Sequence, residues 1–119
     1  MHMTSLASSS SWTHYAAWYL PIGSANYNGT YSAEPFVPGS EAHITANYTR
    51  YQIFTHGTDV GYRFVRSVNQ ATTSDRYVSI IFTTFEGTRG GYVKLVNGSR
   101  YGGQRIAIDG FIYCPDVGC

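Results

Sequence analysis

The sequence predicts an all-β fold: a single-domain, jelly-roll-like β-sandwich with short antiparallel strands and Gly/Asn/Asp-rich turns. Three observations carry that expectation. Thirteen glycines and four prolines fall among 119 residues, and both types punctuate a chain rather than extend helices. Leucine, a strong helix former, stands only at Leu6, Leu20 and Leu95. Aromatic residues make up 16% of the chain, and together with Val, Ile and Thr they suit a pleated, half-buried surface. The length fits one domain.

Taken in order, Met1-His2-Met3 reads as a cloning scar and 4–11 as a flexible Ser-rich linker, which leaves 12–119 as the domain. Residues 12–20 fit both helical and strand spacing and are assigned to a strand. The segment 21–42 carries Pro21, Gly23, Gly29, Pro35, Pro38 and Gly39; it predicts a long loop or a pair of short edge strands. In 43–55 the apolar alternation changes phase between Tyr48 and Tyr51, which predicts a bulge near Thr49-Arg50 or two strands meeting at a bend. The cleanest alternation is 60–68, with Val60, Tyr62, Phe64 and Val68 on one side. A polar loop follows at 69–75. Residues 77–85 are apolar on both faces, as a covered central strand would be. A short strand at 92–96, a Gly-rich turn at 97–103 and a closing strand at 105–114 complete the chain.

The closing strand, I-A-I-D-G-F-I-Y-C-P at 106–115, resembles that of two jelly-roll groups. In the C1q/TNF-like trimeric head domains the last strand is similar to G-F-I-Y-C-P, and Y-V-K-L-V-N-G-S at 92–99 resembles the strand and turn before it. In galactose-binding-like carbohydrate-binding domains the last strand resembles I-A-I-D-G-F. Either resemblance implies a jelly roll, and neither identifies a ligand.

Charge is sparse: net charge is +1, and no basic stripe tracks phosphates, so nucleic acid is not the expected partner. No apolar run of about 18 residues spans a membrane. Cys114 and Cys119 enclose C-P-D-V-G-C, which suits a local disulfide, with free thiols as the alternative. Two Cys and four His without C-x-x-C or H-x-x-H spacing do not make a zinc site. Catalysis has no motif: G-x-S-x-G is missing, and His14, His43 and His56 read as loop or strand-end residues. Glu34, Glu41, Asp59, Asp75, Glu86, Asp109 and Asp116 fall mostly in turns, as ordinary solvated carboxylates. Calcium at Glu34, Glu41 and Asp109 lacks a D-x-D-x-D-G loop. No catalytic residue, metal or cofactor is therefore expected. Sequons occur at Asn28, Asn47 and Asn97 and suggest an exported protein.

Eleven tyrosines are too many to bury, because each buried phenol needs a hydrogen-bond partner. Tyr62, Tyr77 and Tyr113 are assigned to the core. Tyr27, Asn28, Tyr31, Arg100, Tyr101 and Gln104, among turn residues, form the expected ligand-binding set. The expectation is a non-catalytic glycan- or receptor-binding module of a secreted or virion-surface protein, with a homotrimeric fibre-tip head as the favoured assembly. The alternative is a structural subunit of a fibre, capsid or pilus-like assembly whose aromatics meet at subunit interfaces.

Overall fold

The computed structural model describes residues 1–8, 11–20, 29–38, 44–55, 61–72, 75–85 and 91–115. Among these the chain forms strands only: β1 (His2–Thr4), β2 (Tyr15–Tyr19), β3 (Gly29–Val37), β4 (Thr49–Phe54), β5 (Phe64–Val68), β6 (Arg76–Tyr77), β7 (Ile81–Phe85), β8 (Tyr92–Val96), β9 (Arg105–Ala107) and β10 (Phe111–Pro115). The all-β class is thus observed, and every strand pair is antiparallel.

One sheet has the order β2-β8-β4-β5. In the second, β3 pairs with β10 along one edge and with β7 and β6 along the other. A small third sheet joins β1 to β9. Alternate residues of all three meet in one core. Tyr31, Ala33 and Val37 of β3 join Tyr51 and Ile53 of β4, Val93 and Leu95 of β8, Ile81 and Phe85 of β7, and Ile106 and Met3. Two contacts tie the large sheets directly: Trp18 stacks on Phe111 at 5.0 Å, and the Tyr113 hydroxyl donates to the Trp18 carbonyl.

Several expectations are corrected. Residues 1–8 do not hang free as a scar and linker would. Met3 is buried in the core, Ser5 is buried, and the Ser5 Oγ donates to the Tyr101 carbonyl at 2.7 Å and accepts from the Gln104 N–H at 2.9 Å. Hydroxyl-rich composition signals flexibility only where the hydroxyls lack backbone partners. In 21–42, residues 29–37 form the longest strand and the centre of its sheet. Pro35 is tolerated there because the opposing edge is irregular. Phe36 faces Tyr77 while Ala33 faces Ile81, so Glu34 and Pro35 oppose Val78, Ser79 and Ile80. That is a β-bulge, a place where a strand accepts proline. The same bulge splits 77–85. Among the described residues the resulting β7 pairs with β3 alone, and with Phe82 61% exposed it is not a strand covered on both faces.

Tyr62 and Tyr77 also leave the core. Both are exposed, because β5 begins only at Phe64 and Tyr77 lies on the outer side of β6. Gln70, placed by its polarity in a loop, is buried instead. Its Nε2 donates to the Ala107 carbonyl at 3.1 Å and to the Tyr51 hydroxyl at 3.3 Å, and its Oε1 accepts from the Ala107 N–H at 2.8 Å.

Candidate functional site: an aromatic sheet face

Directly opposed residues of antiparallel strands share a face. On the outer side of the β2-β8-β4-β5 sheet, Tyr15, Ala17 and Tyr19 oppose Val96, Lys94 and Tyr92, which in turn oppose Arg50, Gln52 and Phe54. Tyr15 and Tyr19 are 55% and 62% exposed. Tyr19 leans on Tyr92 at 4.7 Å, and Tyr92 stacks on Phe54 at 4.2 Å with the planes 11° apart. Tyr62 meets Phe54 edge-on at 6.2 Å. At the other end Trp12 meets Tyr15 edge-on at 5.3 Å. The rings thus run continuously across the sheet, with Tyr15, Tyr19 and Tyr62 open and Phe54 buried beneath them, as are Arg50, Gln52 and Val96 on the same side.

Lys94 occupies its middle. Its Nζ lies 4.9 Å from the Trp12 ring centroid, 4.8 Å from Tyr15 and 5.2 Å from Phe54. Such contacts attract an ammonium by the ring quadrupole but leave its charge uncompensated. The four strands of this sheet read YAAWY, YVKLV, TRYQIF and FVRSV; they hold three cations and no carboxylate.

Trp12 precedes β2 and is held by Asn97. The Asn97 Oδ1 accepts from the N–H groups of Thr13 at 2.9 Å and His14 at 3.0 Å. Its Nδ2 donates to the Thr4 carbonyl at 3.1 Å and the Thr13 Oγ1 at 3.2 Å. Asn97 is buried, so its sequon is occupied by a structural role.

The residues expected to bind ligand scatter. Tyr27 and Asn28 lie outside the described residues. Tyr31 is overturned as a surface ring: it is 4% exposed and packs edge-on to Phe85 and Tyr113, because its parity on β3 points inward. Arg100, Tyr101 and Gln104 do share one loop. The Arg100 guanidinium covers the Tyr48 ring at 5.2 Å, Tyr101 is exposed, and the Gln104 Oε1 accepts from the Asn47 N–H at 3.4 Å. A cleft of about 380 Å³ is lined there by Ala7, Tyr48, Ser99 and Arg100. Cys114 is disulfide-bonded, and Cys119 lies outside the described residues. Among the described residues no three His, Cys, Asp or Glu side chains gather as metal ligands.

No family model, curated protein or solved structure matches this chain. The platform is therefore read from its own geometry. Sequence reasoning missed Tyr15, Tyr19, Tyr92 and Lys94 as a group. Their signal was the alternation in Y-A-A-W-Y and Y-V-K-L-V, which sets Tyr15, Tyr19, Tyr92 and Lys94 outward together with Ala17 and Val96.

Proposed function

We propose that this protein is a non-catalytic glycan-binding module, a small β-sandwich of a secreted or virion-surface protein, and that its ligand lies on the aromatic face. The observation that carries this is the pair Tyr15 and Tyr19, both more than half exposed on a rigid strand and flanked by Trp12, Tyr92 and Lys94. Sugar rings present apolar C–H faces that stack on such rings, while their hydroxyls take hydrogen bonds from phenols and amines. A strand-borne platform is also stiff, so little entropy is lost on binding.

The test is a broad panel of immobilised glycans with the folded protein. Binding that Tyr19→Ala weakens by about tenfold or more (roughly 1.4 kcal/mol), with no change in thermal stability, supports the reading. No binding anywhere on the panel overturns it.

A second reading has its own support. The outer face of the other large sheet carries Phe82, 61% exposed, and the Phe36–Tyr77 pair at 5.1 Å. In a structural subunit or a homotrimeric head these rings would meet a neighbouring copy. Light scattering at micromolar concentration separates the two: a monomer removes the subunit reading.

A further inference from the structure

We infer that the platform selects an acidic glycan, with a sugar carboxylate seated at Lys94. This rests on the glycan reading above and narrows it to a ligand class.

Three features converge. First, Lys94 lies in the centre of the platform, with the rings of Trp12, Tyr15 and Phe54 around its Nζ. A ligand that stacks on Tyr15 brings its substituents to that nitrogen. Second, among the described residues no carboxylate pairs with Lys94. The described acids stand elsewhere: Glu34 faces Ile112 in the other sheet, Asp109 lines a pocket with Met1 and His2, and Asp75 precedes β6. Third, the residues directly opposite Lys94 on its two neighbouring strands, Ala17 and Gln52, are uncharged. Among the described residues nothing beside Lys94 offsets its charge. A neutral sugar leaves it uncompensated, whereas a uronate or similar carboxylated sugar supplies one anion with a stacking ring attached.

The spacing of charge favours a glycan over a nucleic acid. A phosphate backbone needs a row of exposed cations, and here the face holds Lys94 ringed by aromatics and a buried Arg50, in a chain of net charge +1.

The test compares three probes on the unmodified protein by calorimetry: a glucuronate-containing tetrasaccharide, the same tetrasaccharide with its carboxyl groups reduced to primary alcohols, and a single-stranded oligothymidine. The expected result is binding of the uronate at least about tenfold tighter than its reduced counterpart, weakening as salt rises. Lys94→Gln removes that preference while Tyr19→Ala weakens both sugars. Equal affinity for the two saccharides overturns the acidic-ligand inference and leaves the glycan reading standing. Binding of neither saccharide, nor of any panel glycan, overturns both. Tighter binding of oligothymidine than of the uronate also overturns the inference. The carboxyl-reduced comparison needs no variant, so it decides even where Lys94→Gln loosens the ring cluster.

Discussion

Replacing Asn97 by alanine should loosen the N-terminal part of the fold. The side chain makes four hydrogen bonds, to Thr13 N, His14 N, Thr4 O and Thr13 Oγ1, from a buried position at the end of β8. Each such bond contributes about 1 kcal/mol net, and a buried partner left unmatched costs about 1–3 kcal/mol. Thr13 and His14 are exposed enough for water to replace part of the loss. The expected cost is therefore about 3 kcal/mol, or roughly a 10 °C fall in melting temperature for a domain of this size. Thermal and urea unfolding by circular dichroism measure it, with an unchanged urea slope showing that the unfolded state is the same. Trp12 fluorescence should change too, because Thr13 is the anchor that holds Trp12 over Lys94. A melting point within about 2 °C of the parent, with unaltered fluorescence, would refute the assignment of Asn97 as the anchor. Expression in a secretory host should leave Asn97 unmodified, which peptide mass spectrometry reads directly.

Two further predictions concern the inward tyrosines. Tyr31 Oη is buried without a hydrogen-bond partner among the described residues, so Tyr31→Phe should stabilise the fold by about 1 kcal/mol; a loss of stability measured by urea unfolding would mean that the phenol has a partner. Tyr51 is pushed up to about 12 by burial, against weaker opposing hydrogen bonds from Gln70 and Thr49, and burial raises Tyr113 as well. A raised phenol stays neutral when folded, so its contribution is intact below pH 10 and is lost as pH rises through about 12. For Tyr51 that amounts to about 3 kcal/mol across the window. Phenolate absorbance from these two rings should therefore appear together with unfolding; their ionisation in a still-folded protein would contradict the assigned burial.

How much of this the chain discloses depends on the range of the physics involved. The strands at 92–96 and 105–114 were legible because alternation and turn glycines are local signals, although Asp109 and Gly110 divide the second into β9 and β10. The role of 29–37 was hidden because Pro35 is a breaker in isolation. Only the bulge opposite, set by strands distant in sequence, makes room for it. Ser5, Gln70 and Asn97 read as solvated polar residues, yet each is buried with backbone partners far along the chain. The tyrosines divide by strand parity. Tyr31, Tyr51 and Tyr113 point inward, while Tyr15, Tyr19 and Tyr92 point outward. Composition counts both sets alike.

Parity makes the platform depend on one register, that of β2 on β8. A slip of one residue would turn Trp18 outward and bury Tyr15 and Tyr19. Asn97 fixes one end of the pairing. The other end is fixed where the Leu20 N–H donates to the Gly91 carbonyl at 2.9 Å. Gly91 has no space beside it: a Cβ there would lie 2.4 Å from the Phe85 ring and 2.5 Å from the Phe54 carbonyl oxygen. The Phe85 ring is fully buried and cannot swing away, and the Phe54 backbone belongs to β4. Gly91→Ala must therefore push β8 away from β4 at the position where Phe54 stacks on Tyr92. The expected destabilisation is about 2–3 kcal/mol by overpacking. The Phe54–Tyr92–Tyr19 stack should part before the rest of the sheet, so the glycan binding proposed for this face should weaken at temperatures where far-ultraviolet dichroism is still native. A variant that keeps full stability and leaves the Tyr19 and Tyr92 ring resonances unshifted in NMR would show that β8 can yield there. The register would then have to be held by Asn97 alone.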